Sequence, residues 1–115
     1  MDKKVEKYRQ IIIALLKEYA NAPVLSLPNV EVEDQLMLDT ERDHYQMLTV
    51  GRENGGRVYY PIFHLDIKND KIWIQEDASD TDLVGELEKR GVAKNDIVLA
   101  FHTPMNRIYS GFATA

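Results

Sequence analysis

Apolar side chains repeat every three or four residues between positions 2 and 20 of the chain. The repeat consists of Val5, Tyr8, Ile12, Leu15 and Tyr19, with Ile11 and Leu16 beside them. This spacing predicts an amphipathic helix that turns one face toward a hydrophobic core. Pro23 and Pro28 follow, and they predict that the helix ends and that residues 21–29 form a loop.

From residue 30 onward apolar and polar positions alternate, which is the pattern of a half-buried strand. The pattern predicts a first strand at Val30–Asp39. Three more strands are predicted at His44–Arg52, Val58–Ile67 and Ile72–Glu76. Short polar turns separate the four strands, so we expect an antiparallel meander. Pro61 has no N–H to donate, so the third strand is expected to have a bulge or an unpaired edge there.

The sequence pattern in the last third of the chain predicts shorter elements. Ser79 or Asp80 is expected to cap a short helix that ends at Gly91. The apolar segment Ile97–Phe101 follows, and Pro104 is expected to open a single helical turn. The fold class is therefore α+β in a single domain over residues 1–115. It comprises an N-terminal helix, a four-stranded antiparallel β-meander, a short helix and an irregular C-terminal segment, with the helices packed on one sheet face.

The lengths of the turns predict which side chains share a face of the sheet. Two-residue turns at Glu41-Arg42 and Asn69-Asp70 set the pairing within the two hairpins. A three-residue loop at Asn54-Gly55-Gly56, with a left-handed glycine and a bulge, is needed to bring the hairpins into phase. The expected core face consists of Val30, Val32, Leu36, Leu38, Tyr45, Met47, Phe63, Leu65, Ile67, Ile72 and Ile74.

The opposite face of the sheet collects polar and aromatic side chains at one end. We expect His44 to lie opposite Asp66 and Asp66 to lie opposite Trp73. His64 is expected opposite Gln75. Opposed Cβ atoms are about 4.5–5.5 Å apart, so an imidazole and a carboxylate can form a hydrogen bond. This candidate interaction surface, the histidine face, consists of His44, Gln46, His64, Asp66, Trp73 and Gln75.

We expect the row His44, Asp66 and Trp73 to serve recognition more than stability, because solvent screens hydrogen bonds on an exposed sheet face. Trp73→Ala is then expected to leave the melting temperature nearly unchanged. Leu65→Ala on the core face should cost about 2–5 kcal/mol. The alternative interpretation is an ordinary polar sheet face with one isolated exposed aromatic side chain.

Apolar side chains continue along the same face toward the glycine loop, and they predict an oligomer. The predicted patch consists of Leu48, Val50, Val58, Tyr60 and Ile62. An apolar patch open to water is commonly covered by a symmetric copy, which favours a homodimer. The alternative cover is the C-terminal segment Ile97–Ala115 folded across that end of the sheet.

Metal binding is the alternative use of the histidine face. Two imidazoles and a carboxylate, from His44, His64 and Asp66, suit zinc. A flat sheet offers these side chains no enclosing shell, so the sequence predicts no metal and no cofactor. His102 has no partner residue nearby in the sequence, and the serines carry no nucleophile motif. The expectation is a protein that is not an enzyme.

The charge balance argues against autonomous DNA binding. The chain has 14 basic and 19 acidic residues, a net charge of −5, whereas affinity for nucleic acid comes largely from basic side chains that neutralise phosphates. It has no cysteine, which fits a reducing compartment. The longest apolar run, Ile11–Leu16, is far shorter than a membrane span, so we expect a cytoplasmic protein without membrane contact.

Distinctive motifs stand at residues 8–12 (YRQII), 39–46 (DTERDHYQ), 64–68 (HLDIK), 71–75 (KIWIQ), 96–102 (DIVLAFH) and 109–113 (YSGFA). Over nearly the whole chain, these motifs resemble the XisI family. Members of that family are described as controlling factors for excision of the fdxN element, a DNA rearrangement in differentiating cyanobacteria. The resemblance implies action beside a site-specific recombinase and a companion factor, XisH, and it supplies no catalytic residues.

Two functions follow from the residues and the resemblance taken together. The first is a regulatory module that binds an XisH-like protein and influences DNA rearrangement without contacting bases. The second is a small ligand- or metal-binding enzyme that uses His44, His64 and Asp66. The acidic charge and the lack of a catalytic motif favour the first.

Overall fold

The structure of the protein is a computed structural model, and it describes residues 3–21 and 27–115. Pro23, predicted to help end the first helix, lies outside these residues, as does most of the predicted loop. The elements are α1 (Lys3–Ala20), β1 (Val30–Asp39), β2 (His44–Glu53), β3 (Gly56–Lys68), β4 (Lys71–Asp77), α2 (Leu83–Lys89), a 3-10 turn (Lys94–Asp96), β5 (Ile97–Leu99) and α3 (Pro104–Ile108). The predicted α+β class is confirmed.

The sheet has five strands in the order β1-β2-β3-β4-β5, one more than the predicted meander. The first four strands pair antiparallel, and β5 pairs parallel to β4. This short strand coincides with the apolar segment at residues 97–101, and all three of its residues are buried. It shows no alternation because both of its faces are covered, so its sequence does not distinguish it from a buried turn.

The register of both hairpins is as expected, although the predicted two-residue turn at Glu41-Arg42 is part of a four-residue loop, because Asp39 pairs with His44. Leu38 pairs with Tyr45 across the first turn. Ile67 pairs with Ile72 across Asn69-Asp70, where both turn residues have positive φ angles of 54° and 62°. Positive φ at both central positions is the signature of a type I′ turn, whose twist matches that of the flanking strands. The predicted pairing within each hairpin is confirmed at these positions.

The predicted three-residue glycine loop is wrong. Glu53 pairs with Gly56, so Asn54-Gly55 is a two-residue turn with φ angles of 51° and 82°. The extra residue that brings the hairpins into phase lies farther along β3. Met47 pairs with Phe63, but its neighbour Leu48 pairs with Pro61, so β3 has one extra residue between these two pairs. The expected irregularity at Pro61 is confirmed, since a residue without an N–H is tolerated at a bulge.

The hydrophobic core lies between α1 and one face of the sheet. Four residues of α1 are buried in it: Tyr8, Ile12, Leu15 and Leu16. The sheet contributes Tyr45, Met47, Phe63, Leu65, Ile67, Ile72, Ile74, Ile97 and Leu99, while α2 contributes Leu83 and Leu87. From the predicted core face, Leu36 and Leu38 pack partly against this cluster, and Val30 and Val32 are half-buried.

The C-terminal helices differ from each other in position. Asp82, and neither Ser79 nor Asp80, caps α2 by accepting a hydrogen bond from the Gly85 N–H. The α2 helix packs with α1 on the core face, as predicted. The single-turn α3 brings Arg107 over Trp73, on the opposite face. Across the described parts of the chain, every helix is too short or too polar to cross a membrane.

Candidate histidine and aspartate site

Asp66 is the centre of the histidine face. The register places it opposite His44 on β2 and opposite Trp73 on β4, as predicted. Its Oδ1 atom lies 2.7 Å from His44 Nδ1 and 2.9 Å from His64 Nε2. A carboxylate only accepts hydrogen bonds, so each ring nitrogen that faces it carries the proton. The strand pairing therefore brings two imidazoles to one carboxylate oxygen.

Gln75 reaches the same carboxylate from a bulge. The predicted pairing of His64 with Gln75 is wrong, because His64 pairs with Glu76 while Leu65 pairs with Ile74. Gln75 is therefore the extra residue in β4. Its Nε2 atom donates to Asp66 Oδ2 over 3.2 Å. The bulge thus fixes the second carboxylate oxygen and holds the plane of the carboxylate.

Solvent reaches the site from the side of β1 and β2. The exposed side-chain fraction is 52% for His44 and 30% for His64, but only 16% for Asp66. Beside His44, an open groove of about 290 Å³ is lined by Met37, Leu38, Asp39, His44 and Gln46. The carboxylate is therefore shielded from solvent, while both imidazoles remain accessible to it.

Trp73 is covered, contrary to the expectation of an exposed aromatic. Only 8% of it is exposed. Arg107 lies over its ring at 5.5 Å from the centroid, Lys68 Nζ lies at 4.7 Å, and the indole N–H donates to the Lys68 carbonyl. Its neighbour on β5, Val98, is fully buried. The end of the row thus belongs to a second, smaller packed layer, and the open part of the histidine face ends at Asp66.

The predicted oligomer patch does not lie on one face. Leu48 and Val50 pair with Pro61 and Tyr59, on the side of His44. The other members of the patch are elsewhere: Val58 and Tyr60 pair with Gly51 and Thr49 on the core side, and Ile62 packs against the core. Opposed residues share a face, so moving the extra residue from the loop to the bulge turns Val58 and Tyr60 over. The C-terminal segment, the alternative cover, lies along β5 at the opposite edge of the sheet.

A partly buried ion pair involves Asp43, the residue immediately before His44. Arg9 of α1 donates two hydrogen bonds to Asp43, at 2.9 and 3.2 Å, and also bonds Glu6. Tyr45 donates to the same carboxylate over 2.6 Å. Burial alone would raise the pKa of Asp43, but the hydrogen bonds from Arg9 and Tyr45 outweigh it and hold that pKa below its usual value.

The ion pair fixes the start of β2. Asp43 has a positive φ of 59°, and its bonds to α1 lock this turn against the helix. Burial and the hydrogen bond to Asp43 raise the pKa of Tyr45. The sequence analysis missed this network, because α1 and the turn are far apart in the chain. The signal was present in the acidic turn itself, whose Asp43 needs a cationic partner once it is buried.

Comparisons with known proteins identify the family of this chain. A family model described as XisI protein matches residues 1–114. The chain belongs to the XisI family. The resemblance drawn from the sequence motifs is confirmed, and a comparison with curated proteins finds no match.

Two crystal structures of XisI proteins resemble this chain over nearly its whole length. A XisI-like protein from Anabaena variabilis is 40% identical, with a TM-score of 0.88, and the alignment covers 96% of this chain and 99% of that one. The fdxN element excision controlling factor XisI from the same organism is 38% identical, with a TM-score of 0.83, and the alignment covers 98% and 100%.

This XisI-family chain has a second surface that the sequence analysis did not single out. Phe101, Met105, Ile108 and Tyr109 are each more than half exposed. Phe101 lies before α3, Met105 and Ile108 lie on it, and Tyr109 caps its C-terminal end; these four residues are called the C-terminal apolar patch below. The sequence predicts one helical turn at Pro104, but the orientation of that turn depends on the contact between Arg107 and Trp73.

Proposed function

We propose that this chain is a non-catalytic regulatory protein that controls excision of a DNA element in the cytoplasm. The observation that carries the proposal is the 38% identity, along the full length, to a protein named as the fdxN element excision controlling factor. Identity at this level along the whole chain supports a common family as well as a common fold. The regulatory role therefore extends to this chain more securely than a fold likeness alone would permit.

The regulation works through protein partners, with an XisH-like factor as the first candidate and a site-specific recombinase as the second. A net charge of −5 disfavours direct contact with phosphates. The C-terminal apolar patch provides aromatic and methionine side chains, which are enriched where proteins bind each other. The open part of the histidine face offers imidazole and amide groups suited to the polar rim of such a contact.

An excision assay in a heterologous bacterium tests the regulatory role. One plasmid carries an excisable element, a second carries its recombinase and an XisH-like protein, and a third carries this chain or no insert. We expect the frequency of excision, measured by amplification across the rejoined junction, to change at least tenfold when this chain is present. Equal frequencies with and without the chain, at matched protein levels, would contradict the proposal.

Co-purification tests the route through a partner. An XisH-like protein is expressed together with this chain, and the mixture is analysed by size-exclusion chromatography. We expect one complex for the native chain and its loss for Ile108→Glu, which places a charge in the C-terminal apolar patch. Leu27→Glu, at another exposed apolar residue far from the patch in sequence, is the matched control and should retain the complex.

A further inference from the structure

We propose that His44, His64 and Asp66 form a binding site for a divalent transition-metal ion, with Zn²⁺ as the preferred ion. Metal binding here goes beyond the regulatory role and does not depend on it. The three candidate ligand atoms are His44 Nδ1, His64 Nε2 and a carboxylate oxygen of Asp66, and all lie within 4.8 Å of one another. Imidazole nitrogen and carboxylate oxygen are both ordinary ligands of zinc.

The separations of the two ring nitrogens from Asp66 Oδ1 are close to those of a coordinated set. Zinc bonds to nitrogen and oxygen are about 2.0–2.2 Å long, so two ligands at a tetrahedral angle lie roughly 3.3 Å apart. The two nitrogens are 2.7 and 2.9 Å from Asp66 Oδ1. Each separation needs to open by only about half an ångström, which side-chain rotation of two partly exposed imidazoles can supply. The hydrogen bonds to Asp66 thus hold both rings in place for an incoming ion.

Coordination replaces these hydrogen bonds without a net loss of protons. The nitrogens that face Asp66 carry protons in the metal-free arrangement, whereas metal coordination requires their lone pairs. The proton of His44 moves from Nδ1 to Nε2, and that of His64 moves from Nε2 to Nδ1. Both imidazoles stay neutral and each acts as a ligand, while Asp66 contributes its negative charge.

The surroundings of Asp66 provide the outer support that such a site needs. Gln75 donates to Oδ2 over 3.2 Å, which orients the carboxylate and leaves Oδ1 directed at the two imidazoles. Asp66 itself is the least exposed of the three side chains. Two imidazoles and one carboxylate leave at least one coordination position open, and the exposed sides of the imidazoles place it toward solvent. Water or a partner side chain would complete the shell.

Zinc titration of the purified, untagged protein tests the site, with a chromophoric chelator as competitor. We expect one equivalent of Zn²⁺ to bind with a dissociation constant on the order of micromolar or tighter. His44→Gln, His64→Gln and Asp66→Asn should each weaken binding by at least the roughly 10–100-fold that loss of an outer-shell partner costs. His102→Gln is the matched control, because His102 is the third histidine and lies outside the cluster.

The outcomes separate cleanly. Weak binding in the native protein, or a loss with His102→Gln as large as with His44→Gln, overturns the proposal. Far-ultraviolet circular dichroism checks that each variant folds. If His64→Gln does not fold, the zinc affinity of His44→Gln, at a half-exposed residue, tests the site instead. Co²⁺ supplies an independent readout. The visible absorption of bound Co²⁺ should appear with the native chain and be absent with Asp66→Asn. A failure of the excision assay leaves this result untouched.

Discussion

The guanidinium carbon of Arg107 lies 5.5 Å from the centroid of the Trp73 indole ring, and the same guanidinium donates to the carbonyl of Ala100. One side chain from α3 thus covers the aromatic ring on β4 and binds the backbone that follows β5. Ala113 donates its N–H to the Ile97 carbonyl on the edge of β5. These contacts attach the C-terminal segment to the face of the sheet that α1 and α2 leave open.

Trp73→Ala is expected to destabilise the fold by about 3–5 kcal/mol, the range for truncating a buried aromatic side chain. The cost should equal or exceed that of Leu65→Ala, at about 2–5 kcal/mol. Tyr59→Ala is the control, because Tyr59 is 66% exposed and its loss should change stability little. Urea unfolding of the three variants measures the free energies. A Trp73→Ala transition that coincides with that of Tyr59→Ala would show that Arg107 does not shield the ring.

The sequence predicted the hairpin registers because they depend on short-range rules. Turn length sets which residues oppose each other, and Asn69-Asp70 has the residue types that favour a two-residue turn. The position of the second bulge at Gln75 was not predictable in this way. Neither Gln75 nor its neighbours have the missing N–H that announced the irregularity at Pro61, so the pattern of apolar positions alone does not locate it.

The composition of the histidine face was predictable, but its extent was not. Alternation placed His44, His64 and Asp66 together because they lie on adjacent strands at matched positions. The cover over Trp73 arises from Arg107, which is 34 residues later in the chain. A contact of that separation leaves no periodic trace in the sequence. An exposed Trp73 and a covered Trp73 would therefore have the same local sequence pattern, and only the tertiary structure distinguishes the two cases.

Replacing Asp43 should make stability less dependent on pH in the acidic range. Its pKa is lowered in the folded state, so its contribution is complete above the unfolded value of about 4 and is lost as the pH falls through the folded value. Asp43→Asn keeps a residue type that tolerates the positive φ of 59°. We expect a cost of about 2 kcal/mol at pH 7, the usual range for a hydrogen bond to a charged group.

The measurement for Asp43 is urea unfolding of the native chain and Asp43→Asn from pH 7 to pH 2. The difference in free energy between the two should shrink as the pH falls from about 4 through the lower folded-state pKa of Asp43, because the protonated carboxyl is then uncharged like the amide. Glu41→Gln, at an exposed acid in the same turn, serves as the control. A difference that stays constant across the whole range would mean that the ion pair with Arg9 contributes nothing.

Gly51→Ala is expected to cost more than Gly55→Ala. A Cβ atom on Gly51 would lie 2.0 Å from the carbonyl oxygen of Glu31 and 2.8 Å from the Cα of Val32, and its φ is 144°. Backbone strain and overpacking together should cost about 2–5 kcal/mol. Gly55 also has a positive φ, 82°, but a Cβ there meets nothing within 4 Å, so only the strain of about 1–2 kcal/mol applies. Thermal unfolding ranks the two, and equal costs would show that β1 moves aside freely.

The isolated protein is expected to bind duplex DNA weakly at near-physiological salt. The basic residues of α1 are the densest positive charge in the chain, but the fold engages several of them. Arg9 bonds Asp43 and Glu6, Lys4 lies 3.3 Å from Asp96, and Lys7 donates to the Gly91 carbonyl. The acidic partners offset the charge that would otherwise attract phosphates.

Fluorescence anisotropy with a labelled duplex at two salt concentrations measures the affinity for DNA and its dependence on salt. Each phosphate contact adds about 0.9 to the slope of log affinity against log salt, so a protein with few contacts shows weak binding and a shallow slope. We expect no saturation at micromolar protein. Glu6→Gln provides the internal comparison, because it removes one acidic partner of Arg9 and should raise the affinity slightly if α1 approaches DNA at all. Submicromolar affinity of the native chain, with a steep slope, would instead mean that the basic side chains leave their acidic partners for phosphate.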